Sequence, residues 1–157
     1  MKRIVIAAMM SVFVAAPAAA ADGKTSVGVN YGLDWSGIFG IMGEYDISSM
    51  TNNQPVSVQV FWKKSTQTVL GANYEKTGFG AVGIYDFNTL SKLDKKIRPY
   101  AGVGVISKRE QYQGWGTTTS SSLYFTGGIR YFLTPQFAAD FNYNDYGGIT
   151  VGANFSF

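Results

Sequence analysis

The feature that most constrains this chain is a two-residue rhythm that runs through most of it beyond the first two dozen residues. In Leu123–Leu133 the odd positions read Leu, Phe, Gly, Ile, Tyr, Leu, while Tyr124, Thr126, Gly128 and Arg130 fall on the even ones. Phe137, Ala139, Phe141 and Tyr143 alternate in the same way with Ala138, Asp140 and Asn142. Successive side chains of an extended strand point to opposite faces, so this alternation describes strands with one apolar face. Helical periodicity is nowhere sustained. Eight segments carry the pattern: Thr25–Leu33, Ile38–Ser48, Val56–Lys64, Phe79–Asn88, Arg98–Ser107, Ser122–Leu133, Phe137–Asn144 and Gly148–Phe157. Their lengths lie close to the roughly 9–11 residues that a tilted membrane-crossing strand needs. Turn-forming residues separate them, as in Asp34-Trp35-Ser36-Gly37, Asn52-Asn53-Gln54-Pro55 and Asn144-Asp145-Tyr146-Gly147.

Alternation alone fits both a water-soluble β-sandwich and a membrane barrel. The charges separate them. Glu44, Asp46, Lys63, Asp86, Arg130 and Asp140 lie inside strands, and all fall on the polar parity. A charge facing lipid at mid-depth costs roughly 2–4 kcal/mol, and none is asked to do so. The polar parity is also too polar for the interior of a small sandwich, whereas a membrane barrel turns polar groups inward and apolar ones out. Phe79, Tyr85, Phe87, Tyr131, Phe137 and Tyr143 stand near strand ends, where interfacial aromatic girdles belong. The expected fold is all-β: an eight-stranded antiparallel up-and-down transmembrane barrel. A soluble periplasmic β-protein is the rival.

The first residues point to export. Met1-Lys2-Arg3 precedes an apolar run, Ile4 to Ala16, and then Pro17-Ala18-Ala19-Ala20-Ala21-Asp22. This is the layout of a secretory signal peptide, and the run falls short of the roughly 20 residues that span a bilayer. Residues 1–20 are therefore expected to be a leader and 21–157 the barrel domain. With the leader go Lys2 and Arg3 of the 13 basic residues, and the rest nearly balance the 10 acidic ones, leaving no basic footprint for nucleic acid. Cysteine is absent, which excludes a disulfide-stapled secreted fold. Histidine is absent too, which removes Ser-His-Asp and Cys-His hydrolases and the usual imidazole ligands of zinc and copper. Neither a calcium loop nor a phosphate loop occurs, so no cofactor, metal site or enzymatic activity is expected. Export without a long apolar helix points to the bacterial outer membrane.

With both termini in the periplasm, Asp34–Gly37, Ser65–Gly78, Lys108–Ser121 and Asp145–Gly147 become the external loops. Ser49–Pro55, Thr89–Ile97 and Thr134–Gln136 become the periplasmic turns. Gln67–Tyr74 is read as an external extension of strands three and four, with a ten-stranded barrel as the alternative.

Three stretches resemble small bacterial outer-membrane barrels such as outer membrane proteins A and W. Thr150-x-Gly152-x-x-Phe155-x-Phe157 is similar to their C-terminal targeting signal. Arg98-Pro99-Tyr100-Ala101-Gly102-Val103-Gly104 is similar to a strand opening, and Gly128 to Asp140 to a hairpin around a tight periplasmic turn. The resemblance implies delivery by periplasmic chaperones to the barrel-assembly machinery. A peptidoglycan-binding domain like that of protein A is not expected, since the sequence ends with the barrel.

An eight-stranded barrel has an interior only wide enough for side chains. A hairpin centred on Pro135 sets Arg130 opposite Asp140 on the inner face, and Glu44 is placed to reach the same arginine across the lumen. These three are the candidate lumen ion pairs, read either as a structural plug or as the gate of a small-solute channel. Lys108, Arg109, Tyr112 and Trp115, followed by six hydroxyl residues from Thr117 to Ser122, are the surface-loop binding candidates, suited to sugars or lipopolysaccharide phosphates if the loop is not simply solvated. The expected function is a non-enzymatic outer-membrane barrel serving envelope integrity or surface interaction, in contact with membrane lipids and lipopolysaccharide; a narrow channel is the alternative.

Overall fold

A computed structural model describes residues 25–33, 37–69, 72–87, 94–112 and 116–157. Residues 1–24, with the expected leader, lie outside it, as do Trp35 and Trp115. Eight antiparallel strands close a barrel in sequence order: β1 Thr25–Gly32, β2 Phe39–Asp46, β3 Val56–Val69, β4 Ala72–Asp86, β5 Ile97–Tyr112, β6 Gly116–Phe132, β7 Phe137–Asn144 and β8 Gly148–Ser156. Closure is made by β8 returning beside β1, with Ser26 opposite Ser156 and Gly32 opposite Thr150. Ladder hydrogen bonds then run round the whole barrel wall, as backbone in hydrocarbon requires. The ten-stranded alternative is excluded by this closure.

The two parities separate as the charges demand. Val29, Phe39, Val58, Phe79, Val103, Val105, Leu123, Phe125, Ile129, Phe141, Ile149 and Phe155 are exposed on the outside. Met42, Phe61, Val82, Ile84, Tyr100 and Tyr124 are buried inside. Lys63 and Asp140 are inside as well, at 2% and 3% exposure. Around the lumen, large inward residues face glycines on the next strand: Phe61 opposite Gly80, Tyr124 opposite Gly104, Tyr100 opposite Gly128. A Cβ on Gly80 would lie 2.5 Å from Cζ of Phe61, so the bare backbone is what makes room for that ring in the narrow interior.

Strand length divides the barrel. β1, β2, β7 and β8 have 8 or 9 residues, whereas β3 to β6 have 14 to 17. β2 leaves β3 at the pair Phe39 and Lys64, and β7 leaves β6 at the pair Asn144 and Thr126. Beyond those rungs β3–β6 continue as a four-stranded blade. Gln67 pairs with Tyr74, so that stretch extends β3 and β4. The expected long loops at 65–78 and 108–121 are corrected: most of both is strand, with β5 and β6 paired out to Tyr112 and Gly116. Serine, threonine and charge look like loop composition, yet β-branched threonines suit a two-sided polar ribbon as well.

The outer face changes character where the blade begins. On β5, Val103 and Val105 give way to Ser107, Arg109 and Gln111; on β6, Phe125 and Leu123 give way to Ser121, Thr119 and Thr117. Phe79 on β4 gives way to Thr77 and Glu75. At the opposite end, which also holds both barrel termini, Tyr45, Tyr131, Leu133, Phe137, Phe155 and Phe157 are exposed. The apolar belt thus has an aromatic lower rim and a sharp polar upper edge.

Candidate functional site

A network of polar side chains runs through the lumen from Glu44 and Ser57 to the turn between β7 and β8. Arg130 on β6 donates through Nη1 to Glu44 Oε1 at 2.9 Å and through Nη2 to Oε2 at 2.6 Å, a two-point pair across the lumen. Glu44 also accepts from the Ser57 hydroxyl at 2.6 Å and from Gln59 at 3.2 Å. Asp140, opposite Arg130 in the β6–β7 ladder, stands 3.6 Å from Nε, an ion pair without a hydrogen bond. Its oxygens accept instead from Tyr100 at 2.9 Å, Asn142 at 3.1 Å and Asn154 at 3.1 Å. The chain continues through Asn142 to Thr150 and Asn144 and ends at the Gly147 amide. The guanidinium centre sits 4.5 Å from the Tyr100 ring centroid.

The three lumen candidates are therefore brought together, but the arginine's main partner is the distant Glu44 and not the adjacent Asp140. Register explains the ladder pair, because the short turn at 134–136 fixes it. The cross-lumen pair depends on barrel diameter. Both arginine and carboxylates are paired and hydrogen-bonded, which is the condition under which charge is tolerated away from water.

Toward the barrel termini this network opens into a vestibule of about 370 Å³, lined by Glu44, Asp46, Asp86, Arg98, Arg130 and Phe132 among others. The Arg98 guanidinium lies 4.3 Å from the Phe132 ring centroid. Beside the network, and joined to it through Tyr100, Met42, Phe61, Val82, Ile84, Tyr100 and Tyr124 are packed together. The Phe61 and Tyr124 ring centroids are 4.5 Å apart.

The surface-loop candidates are divided by strand geometry. Lys108 faces the lumen side, with Nζ 5.8 Å from the Tyr146 ring. Arg109 faces outward and lines a cleft of about 430 Å³ with Lys64, Glu75, Thr77 and Gln111, just above the apolar belt. Lys64 and Glu75 are paired there at 3.0 Å. Tyr112 stacks on Tyr74 with centroids 4.5 Å apart. Trp115 lies outside the described residues. Of the C-terminal motif, Thr150 and Gly152 face the lumen, while Phe155 and Phe157 are exposed and meet edge to face at 5.1 Å. Three residues in this region, Lys63, Lys76 and Tyr146, are not singled out by local pattern; only the inward parity of Lys63 hints at its burial.

No family model and no curated protein matches the sequence. Solved structures do match. The N-terminal β-barrel domain of Pseudomonas aeruginosa OprF superposes with a TM-score of 0.63 at 14% identity, over 86% of this chain and 98% of that one. Neisserial surface protein A gives 0.59 at 20% identity, over 85% and 95%. The Yersinia pestis outer membrane protein Ail, determined in a phospholipid bilayer nanodisc, gives 0.58 at 13% identity, over 87% and 100%. This chain has the fold of the small outer-membrane barrels. An eight-stranded barrel of that fold, apolar outside and polar inside, is a bacterial outer-membrane structure, and the resemblance drawn from the sequence agrees with it.

Proposed function

We propose that the protein is a non-enzymatic outer-membrane barrel whose lumen is plugged and whose working surface is the blade formed by β3–β6. The observation that carries this reading is the difference in strand length: four strands continue past the upper edge of the apolar belt into polar surroundings. Gly116–Leu123 on the edge of that blade are all exposed and uncharged, and among the described residues no strand pairs with that edge beyond Thr126. An open polar edge is a template for an extended segment of another protein. The outward Lys64 and Arg109 stand at the level of the lipid headgroups, suited to lipopolysaccharide phosphates.

The blade end is external and the terminus end periplasmic in this reading. During biogenesis the outward Phe155 and Phe157 are offered to chaperones and the barrel-assembly machinery before β8 closes on β1. Cysteine labelling tests the arrangement. A Thr119→Cys protein in intact cells should react with a membrane-impermeant maleimide, be found in the membrane fraction and show heat-modifiable gel mobility. A soluble, unlabelled protein would refute it.

A further inference from the structure

One rung of the barrel wall carries Gly40, Lys63, Gly78, Lys108 and Ser120 as successive partners from β2 to β6. Two inward lysines thus flank a position without a side chain. Tyr146, from the turn between β7 and β8, fills the notch: a Cβ on Gly78 would lie 2.9 Å from its Cζ and 3.1 Å from its hydroxyl. Lys76, two residues before Gly78 on β4 and on the same face, holds Nζ 4.3 Å from the Tyr146 ring centroid. Lys63 lies below and donates to the Tyr124 hydroxyl at 2.8 Å.

These three ammonium groups have no carboxylate within salt-bridge distance among the described residues. Of the neighbouring acids, Glu110 stands opposite Lys76 in the ladder but outside ion-pair distance of all three lysines, and Asp145 accepts from the Phe125 amide at 3.2 Å. Tyr146 is 4% exposed, and its hydroxyl has no partner among the described residues. Burial, and after it the negative charge of nearby Glu110, raise the pKa of that hydroxyl, so it remains a proton donor. A buried donor without an acceptor is costly, and here one stands beside two part-exposed ammonium groups at the mouth of the lumen.

We propose that this mouth is a binding site for a soluble oxyanion, a sulfate or phosphate ester, held by Lys76 and Lys108 with the Tyr146 hydroxyl as a further donor and Lys63 adding charge from beneath. A tetrahedral oxyanion offers several acceptors to donors arriving from different strands, which suits point-charge lysines better than a planar carboxylate does. Lys76 and Lys108 are part-exposed and face the lumen side, so headgroups beside the barrel meet Lys64 and Arg109 on the other face of the blade. The proposal rests on the blade end being external.

The test is calorimetric titration of the folded protein in nanodiscs free of lipopolysaccharide, with inorganic sulfate and then phosphate, against chloride at equal ionic strength. Saturable one-site binding is expected, weakened about tenfold or more by K76Q/K108Q and several-fold by Y146F, and unchanged within about twofold by the outer-face pair K64Q/R109Q. Nanodiscs containing lipopolysaccharide should bind the soluble anion equally well; competition by the lipid would assign the site to headgroup phosphate and overturn the soluble source. Sulfate indistinguishable from chloride, or binding that depends on Lys64 and Arg109 instead, would overturn the site itself. Thr119→Cys labelling of intact cells separates the two levels: a labelled blade without anion binding defeats this inference alone, and an unlabelled blade defeats the orientation beneath it.

Discussion

Arg130 and Glu44 face each other across the lumen from β6 and β2, two strands that do not pair, and lock together by two hydrogen bonds of 2.9 and 2.6 Å. Their side chains are each only 11% exposed. The pair joins opposite walls of the barrel at the level where the aromatic plug meets the vestibule.

Removing one member leaves the other charge without its main partner. Glu44→Ala should destabilise the folded barrel by about 3–5 kcal/mol, since an uncompensated buried charge is what such a change exposes. Glu44→Gln, which keeps hydrogen-bonding atoms, should cost less. Urea unfolding in detergent, followed by tryptophan fluorescence, measures both.

Inner and outer glycines should respond differently to a methyl group. At Gly128 an added Cβ would meet the Phe141 carbonyl at 2.5 Å and Asn142 Cβ at 2.6 Å, both in the β7 wall. Gly128→Ala should cost at least about 1–3 kcal/mol by overpacking. At the outward Gly83 the nearest atom would be the Val103 carbonyl oxygen at 3.8 Å, and Gly83→Ala should fall within about 0.5 kcal/mol of the parent. The same unfolding assay compares them.

The belt edge predicts a depth dependence. Val103 is 55% exposed in the middle of the apolar face, and Val103→Arg should cost about 2–4 kcal/mol in lipid. Thr119→Arg, on the same outer parity but in the blade, should stay within about 0.5 kcal/mol. Equal costs in reversible folding into lipid vesicles would mean that the belt is not the lipid contact.

Phe157 closes the outer stripe of β8, with its amide donating to the Thr25 carbonyl at 2.9 Å and its ring against Phe155. Phe157→Asp should reduce the amount of assembled, heat-modifiable protein in the outer membrane several-fold while leaving refolding in detergent nearly intact. Quantitative blotting of membrane fractions reads the first and gel mobility the second. Normal assembly of the variant would count against a targeting role.

Much of the architecture is legible in the residues because a barrel wall imposes one rule on every strand. Parity assigned Arg130, Asp140 and Glu44 inward, and the three-residue turn at 134–136 fixed which residue faces Arg130. Strand height was less legible. Lys108 to Ser122 has the polar composition of a solvated loop, and only pairing with a neighbour, Lys108 with Ser120 or Gln111 with Thr117, makes it a ribbon. The Lys63, Lys76 and Tyr146 cluster was hidden for a related reason. Its members come from β3, β4 and a turn some 70 residues later, and a glycine notch at position 78 is what brings them together.

The proposal of a filled lumen beneath an external blade is tested most directly by single-channel recording of the purified protein in planar bilayers. The wild type should show no discrete conductance, and Arg130→Ala should not open more than small, short-lived events while the plug of Met42, Phe61, Val82, Ile84, Tyr100 and Tyr124 stays packed above it. Reproducible unitary conductance in the wild type, increased by Arg130→Ala, would contradict the closed lumen and make the Arg130–Glu44 pair the gate of a channel.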